Sequence, residues 1–197
     1  MRVCILNYGV GNLYSLQAAL KRENADPQLV TNVRRARSAD ALLLPGVGNF
    51  REVARKVQRE EIRDLAESGK PLIGICLGLQ LFFESSEEGS GKGLGLFSGQ
   101  AKRLPSTVKI PQIGWNTLRV TNPNEIVEGI ANESWVYYMH SYYPETSGDW
   151  VVATSKYGVE YPTLIARKNV FGSQFHPEKS GKTGRAILRN VLRLVKR

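Results

Sequence analysis

Pro71-Leu72-Ile73-Gly74-Ile75-Cys76-Leu77-Gly78-Leu79-Gln80 carries a strand straight into a helix, with a cysteine at the junction. Leu72–Ile75 is a short apolar run restarted by Lys70-Pro71, the pattern of a buried strand, and a helix is expected from about Leu79 to Glu84. A sharp strand–helix turn can hold a nucleophile above the edge of a sheet. The helix N-terminus carries partial positive charge, which lowers a thiol pKa, and its free N–H groups can stabilise an oxyanion. Gly74 and Gly78 remove side chains where a strained turn and a substrate need room. Free cysteines are also common as small buried apolar residues, and this segment alone does not choose between the two roles.

Upstream, Met1–Leu6 reads as a buried strand ending in the loop Asn7-Tyr8-Gly9-Val10-Gly11-Asn12. Asn12 suits the N-cap of a helix with Leu13, Leu16 and Leu20 on one face. Pro27–Thr31 and Ala41–Leu44 are further strands, the latter stopped by Pro45-Gly46-Val47-Gly48, and a long helix is expected from Phe50 to about Ser68. Strands alternating with helices imply a parallel sheet covered on both faces. Downstream, Gln112–Val120, Trp135–Tyr142, Trp150–Tyr157, Thr163–Arg167 and Val170–Phe175 are strand-like and separated by turn signals. They predict an antiparallel extension, closed by an amphipathic helix over about Thr183–Val195. The expected fold is α/β: a mixed, largely parallel central sheet flanked by helices, with an antiparallel C-terminal extension. No linker interrupts it, so residues 1–197 are expected to form a single domain.

The chain has 197 residues, 42% of them hydrophobic, enough for one sizeable core. No apolar run approaches the ~20 residues needed to span a bilayer, and the start is too short and too soon interrupted by Asn7 for a signal peptide. Two cysteines, Cys4 and Cys76, make no disulfide framework, so a reducing, cytoplasmic setting is expected. Cys4 lies inside an apolar strand with no glycine turn, which points to core packing. Two scattered histidines and two cysteines do not make a zinc site, and no metal is expected. The net charge of +9 has three readings: a nucleic-acid surface, a face for an acidic partner or phosphorylated ligand, or plain solvated surface. Basic residues are dispersed, denser only at Arg34-Arg35-Ala36-Arg37 and from Arg189 to Arg197, and no nucleic-acid-binding motif accompanies them.

A catalytic thiol needs a base, and the base needs an orienting group. Phe171 to Phe175 delivers His176-Pro177-Glu178 at a strand end. In an extended segment residues i and i+2 point the same way, and Pro177 biases His176 toward that conformation, so the Glu178 carboxylate can reach the His176 ring. It would set the imidazole tautomer and favour its cationic form. His140 has no following carboxylate and reads as a hydrogen-bonded strand histidine.

Together these segments resemble the class I, triad-type glutamine amidotransferases. Gly74-Ile75-Cys76-Leu77-Gly78-Leu79-Gln80 looks like their nucleophile motif, and Phe175-His176-Pro177-Glu178, about a hundred residues on, like their base motif. Asn7 to Leu13, Leu44 to Gly48, Ile113-Gly114-Trp115-Asn116 and His176 to Ser180 resemble, more narrowly, the glutaminase subunits of imidazole glycerol phosphate synthases, nearly end to end. The glutaminases of pyridoxal phosphate synthase typically carry Gly-Gly-Glu-Ser where this chain has Pro45-Gly46-Val47-Gly48. A histidine is common where Gln112 stands, which puts at most a partner contact or coupling in doubt.

The resemblance implies a flavodoxin-like class I amidotransferase fold, no cofactor, and a triad of Cys76, His176 and Glu178 that hydrolyses glutamine through a glutamyl thioester. It implies oxyanion donors at Leu77 and Val47, and Gly48, Gln80, Ser141 and Tyr142 around the substrate. It implies a heterodimer with a (β/α)8-barrel cyclase subunit that receives the ammonia, with Tyr8, Asn12, Trp115, Tyr137 and Lys179 as interface candidates. Trp115 and Tyr137 read equally as core aromatics from sequence. Neither nucleic acid nor membrane is an expected partner. Alternatives are the glutaminase subunit of another synthase, a thiol hydrolase of related fold, or a non-catalytic interaction subunit.

Overall fold

A computed structural model of the chain describes residues 1–9, 12–46 and 48–196. The strand β1 (Arg2–Leu6) leads to α1 (Leu13–Arg22), whose Asn12 cap accepts a hydrogen bond from Ser15 N at 3.2 Å. The strands β2 (Asp26–Val30), β3 (Ala41–Leu44) and β4 (Leu72–Ile75) follow, with α2 (Phe50–Lys56) and α3 (Arg59–Glu67) between the last two. The helix α4 (Leu77–Gln80) begins directly after Cys76. Beyond it come β5 (Ser85–Ser86), β6 (Gln100–Arg103), β7 (Gln112–Val120), β8 (Ser134–His140), β9 (Tyr142–Glu145), β10 (Val151–Tyr157), β11 (Val159–Arg167), β12 (Val170–Ser173) and α5 (Gly181–Val195).

Nine strands form one sheet in the order β2-β1-β3-β4-β12-β11-β10-β7-β8. The pairs from β2 to β12 run parallel and those from β12 to β8 antiparallel, which is the mixed sheet with an antiparallel extension expected from the sequence. Leu16 and Leu20 of α1 pack with Ile187, Leu188 and Val191 of α5 in one apolar cluster. Phe50 and Val53 of α2 pack with Ile62 and Leu65 of α3 in a second. The parallel half is therefore buried on both faces, as continuous apolar strands demand.

Two expectations need correction, and one feature was not expected. The helix expected over Phe50–Ser68 is two helices, because Val57 is extended (φ −69, ψ 133) and the Gln58 side chain turns to accept from Val33 N at 2.6 Å. The helix after Cys76 starts at Leu77 and ends at Gln80, earlier at both ends than expected. A separate three-stranded sheet, β5-β6-β9, was not foreseen, since its strands hold only two to four residues. No described helix is long and apolar enough to cross a membrane.

Candidate active site

The site exists because β4 and β12 are parallel neighbours in register, Ile75 opposite Ser173. Each strand therefore releases its next residues at the same edge of the sheet, and Cys76 N donates to Ser173 O at 2.7 Å. Ligands in open α/β sheets sit at this carboxyl edge. Cys76 is held at φ 50, ψ −105, a conformation an L-residue adopts only under constraint. The constraint is packing: a Cβ on Gly46 would lie 1.8 Å from Ile75 O, and one on Gly78 would lie 2.0 Å from Leu44 O. Only glycine lets β3, the following loop and the turn approach this closely. The Cys76 thiol lies 3.7 Å from Met139 O as a donor and accepts from Gln174 Nε2 at 3.4 Å. Cys4, by contrast, sits within β1, and burial raises its thiol pKa.

His176 is buried, and its Nδ1 lies 2.9 Å from Glu178 Oε1. The contact forms as expected but by another route: Pro177–Lys179 is a 3-10 turn, with His176 itself extended (φ −94, ψ 99), instead of a continuous strand. Nε2 makes no hydrogen bond among the described residues, and the Cys76 side chain is one of two that act electrostatically on the ring. Burial works to lower the pKa of His176. The Cys76 and Glu178 side chains outweigh it and hold the ring up to about 10.

Cys76 opens on a cavity of about 220 Å3, room for a small amino acid. Leu77, Gln80, Gly48, Ser141 and Tyr142 line it, so every sequence-predicted substrate contact borders the cavity on which the thiol opens. Leu77, the first residue of α4, has no helical carbonyl for its N–H. Val47, the other predicted oxyanion donor, lies outside the described residues, though Gly46 and Gly48 on either side line the cavity. A larger cleft of about 710 Å3, at the opposite end of the parallel strands beside Pro71 and Asn169, holds no thiol or imidazole.

Sequence reasoning missed three lining or supporting groups. Glu88, half-buried on the cavity wall, accepts from Phe50 N at 2.6 Å, and burial raises its carboxyl above the usual range despite that bond. It sits in an irregular loop, where no periodicity marks it. Met139 contributes a backbone oxygen, invisible to residue type. Gln174 is fully buried two residues before His176, and i, i+2 alternation is the signal that could have placed it.

His140 is a hydrogen-bonded strand histidine, as expected: Nδ1 donates to Tyr142 O at 2.9 Å, and Nε2 lies 3.3 Å from the Tyr161 hydroxyl. Gln112 pairs with it across β7 and β8, is buried, and accepts from that hydroxyl at 2.8 Å. Its side chain makes no surface contact, so an effect of the histidine-to-glutamine difference on any partner is indirect. Of the interface candidates, Trp115 and Asn12 are exposed and Tyr137 and Lys179 half-buried, with Lys179 Nζ 5.7 Å from the centre of the Tyr137 ring. Tyr8 is not an exposed anchor. It is buried, and its hydroxyl donates to Pro45 O, bracing the loop beside the thiol. Among the described residues no group of three or more His, Cys, Asp or Glu is placed to hold a metal.

A sequence model of the class-I glutamine amidotransferases matches residues 4–194. The imidazole glycerol phosphate synthase subunit HisH of Methanosarcina mazei is 43% identical over 199 residues, covering 98% of each chain. The HisH subunit of Saccharolobus solfataricus is 44% identical over 203 residues, covering 100% of each. The crystal structure of a glutamine amidotransferase from Thermotoga maritima shares the fold, with a TM-score of 0.75, 16% identity and coverage of 100% of this chain and 98% of that one. With residues 4–194 matched and relatives this similar along their whole length, the chain belongs to the class-I glutamine amidotransferases and, within them, to the HisH family.

Proposed function

We propose that the chain hydrolyses glutamine to glutamate and ammonia through Cys76, His176 and Glu178, and passes the ammonia to a cyclase subunit of imidazole glycerol phosphate synthase. The observation that carries this reading is one strained thiol, facing a cavity of amino-acid size, beside an imidazole that a carboxylate orients.

With the thiol proton held on His176 Nε2, Cys76 Sγ attacks the side-chain carbonyl carbon of glutamine as the thiolate. The carbonyl oxygen becomes an oxyanion next to Leu77 N–H, with a second donor from the Gly46–Gly48 loop, the role expected of Val47. Losing one such donor costs about 3–4 kcal/mol of barrier, so this loop is where a partner can switch activity. His176 returns the proton to the nitrogen, ammonia leaves, and water cleaves the thioester with the same imidazole as base. Glu178 holds the ring in the tautomer that presents Nε2. The Glu88 carboxylate is the negative group on the wall suited to the substrate's α-ammonium.

Ammonia needs a sheltered exit. Ile113 and Trp115 of β7 and Trp135 of β8 are exposed and lie on one face of the β7–β8 pair, with Tyr137 and Met139 beside them. Met139 also supplies the carbonyl at the thiol. An apolar, aromatic surface one residue from the nucleophile suits a docked partner. Following the resemblance, that partner is a (β/α)8 barrel acting on a phosphorylated ribulosyl nucleotide, with imidazole glycerol phosphate and an aminoimidazole carboxamide ribotide as products.

Labelling with a glutamine-like electrophile tests the reading. Peptide mapping is expected to find one adduct, on Cys76, formed more slowly in the presence of excess glutamine. An adduct on Cys4, or labelling indifferent to glutamine, would overturn it.

A further inference from the structure

We infer that Gln174 is a positioning residue of this site: its carboxamide aims the Cys76 sulfur and, through its other end, fixes Gln80 for substrate. The inference rests on the glutaminase reading above.

Gln174 is 0% exposed. A primary amide in such a place costs free energy unless its polar atoms are bonded. Its side-chain bonds go to two residues, both at the site. Nε2 donates to Cys76 Sγ at 3.4 Å, and Oε1 accepts from Gln80 Nε2 at 3.1 Å. The strand role of the residue is carried separately by its backbone N–H, which donates to Thr163 O at 2.9 Å and survives any side-chain change.

The two ends act differently. As a neutral thiol, Cys76 can donate to Met139 O. Once its proton has moved to His176, the sulfur is only an acceptor, and the Met139 oxygen offers it nothing. The Gln174 N–H then joins the His176 Nε2–H that took the proton as a second donor, and a bond to a charged sulfur is stronger than one to a neutral thiol. Gln174 thus favours the ionised nucleophile in the orientation the turn imposes. At the far end, Gln80 Nε2 is shared between Gln174 Oε1 and Tyr142 O, the latter at 2.8 Å. With its amide nitrogen held on both acceptors, Gln80 Oε1 is the atom left for a substrate N–H donor.

The test is steady-state glutamine hydrolysis with the synthase partner subunit present, alongside thermal unfolding. Gln174→Leu, which neither donates nor accepts, should lower kcat about ten- to a hundredfold and raise KM, since a hydrogen bond to a charged group is at stake. Gln174→Glu keeps an oxygen for Gln80 Nε2 and, assayed at a pH high enough to ionise this buried carboxyl, has no hydrogen for the sulfur. It should lose kcat comparably while KM stays within about twofold. A role confined to packing would not split kcat from KM in this way. A folded Gln174→Leu with unchanged kcat overturns the inference. Should that variant fail to fold, an unchanged kcat in the nearly isosteric Gln174→Glu, at the pH that ionises its carboxyl, does the same. Hydrolysis that survives Cys76→Ala, or is absent from the unaltered complex, defeats the parent reading instead.

Discussion

Cys4 and Cys76 carry the same thiol into opposite settings. Cys4 is enclosed by β1 and its neighbours, and burial raises its pKa; Cys76 is bent out of the ordinary backbone range and faces a cavity. Residue type distinguished them only through context, an apolar run around one and glycines around the other. His176 and Glu178 were legible because two spaced residues and a proline define a local geometry. Gln174 and Glu88 were not, because a lone amide among apolar residues and a lone acid in a loop look like ordinary strand and surface. A residue-scale prediction concerns Glu178→Gln. With the carboxylate gone, one of the two groups raising the His176 pKa is lost, so the ring gives up its proton at lower pH than about 10. Glutamine kcat should drop by about a hundredfold or more, and the alkaline limb of its pH profile should move down; an unchanged profile would show that Glu178 does not steady this imidazole.

At the scale of elements, the pairing of β4 with β12 brings together residues a hundred positions apart. The alternation of strands and helices implied a parallel sheet but not which strands would be neighbours. The break at Val57 escaped notice because the apolar spacing runs through it, and what interrupts it is a tertiary hydrogen bond from Val33 N to Gln58. The β7–β8 pair bears a pH prediction. Burial lowers His140 from 6.5 to about 4, with the neighbouring His176 adding to the effect. The unfolded chain takes up this proton below pH 6.5 while the folded chain refuses it until about 4. The folded state should therefore lose stability progressively as pH falls through that window, and not above it. Melting temperature followed from pH 7 to 4 should fall less steeply in His140→Gln than in the unaltered chain; parallel slopes would contradict the assignment.

For the whole molecule, the excess positive charge that left three readings open is partly engaged within the fold. Arg185 and Arg189 both pair with Glu23 at the end of α1, and Arg193 pairs with Glu128, so the basic C-terminal helix is tied to the body. These arginines are about half exposed, and such pairs contribute little stability each. Their placement favours the solvated-surface reading for that segment. The exposed face of β7 and β8 is different in kind, apolar and aromatic next to the edge of the sheet that carries Cys76, and the sequence could not tell Trp115 from a core residue because an aromatic residue at an alternating strand position reads the same whether its face is covered or open. On the proposed function, the nucleophile and the docking face are distinct surfaces of one chain, so they should be separable. Glutamate release by Cys76→Ala mixed with the cyclase subunit, measured beside complex formation by size-exclusion chromatography, decides the matter. The complex should remain intact with no glutamine hydrolysis above background; an intact complex that still releases glutamate would remove Cys76 as the nucleophile.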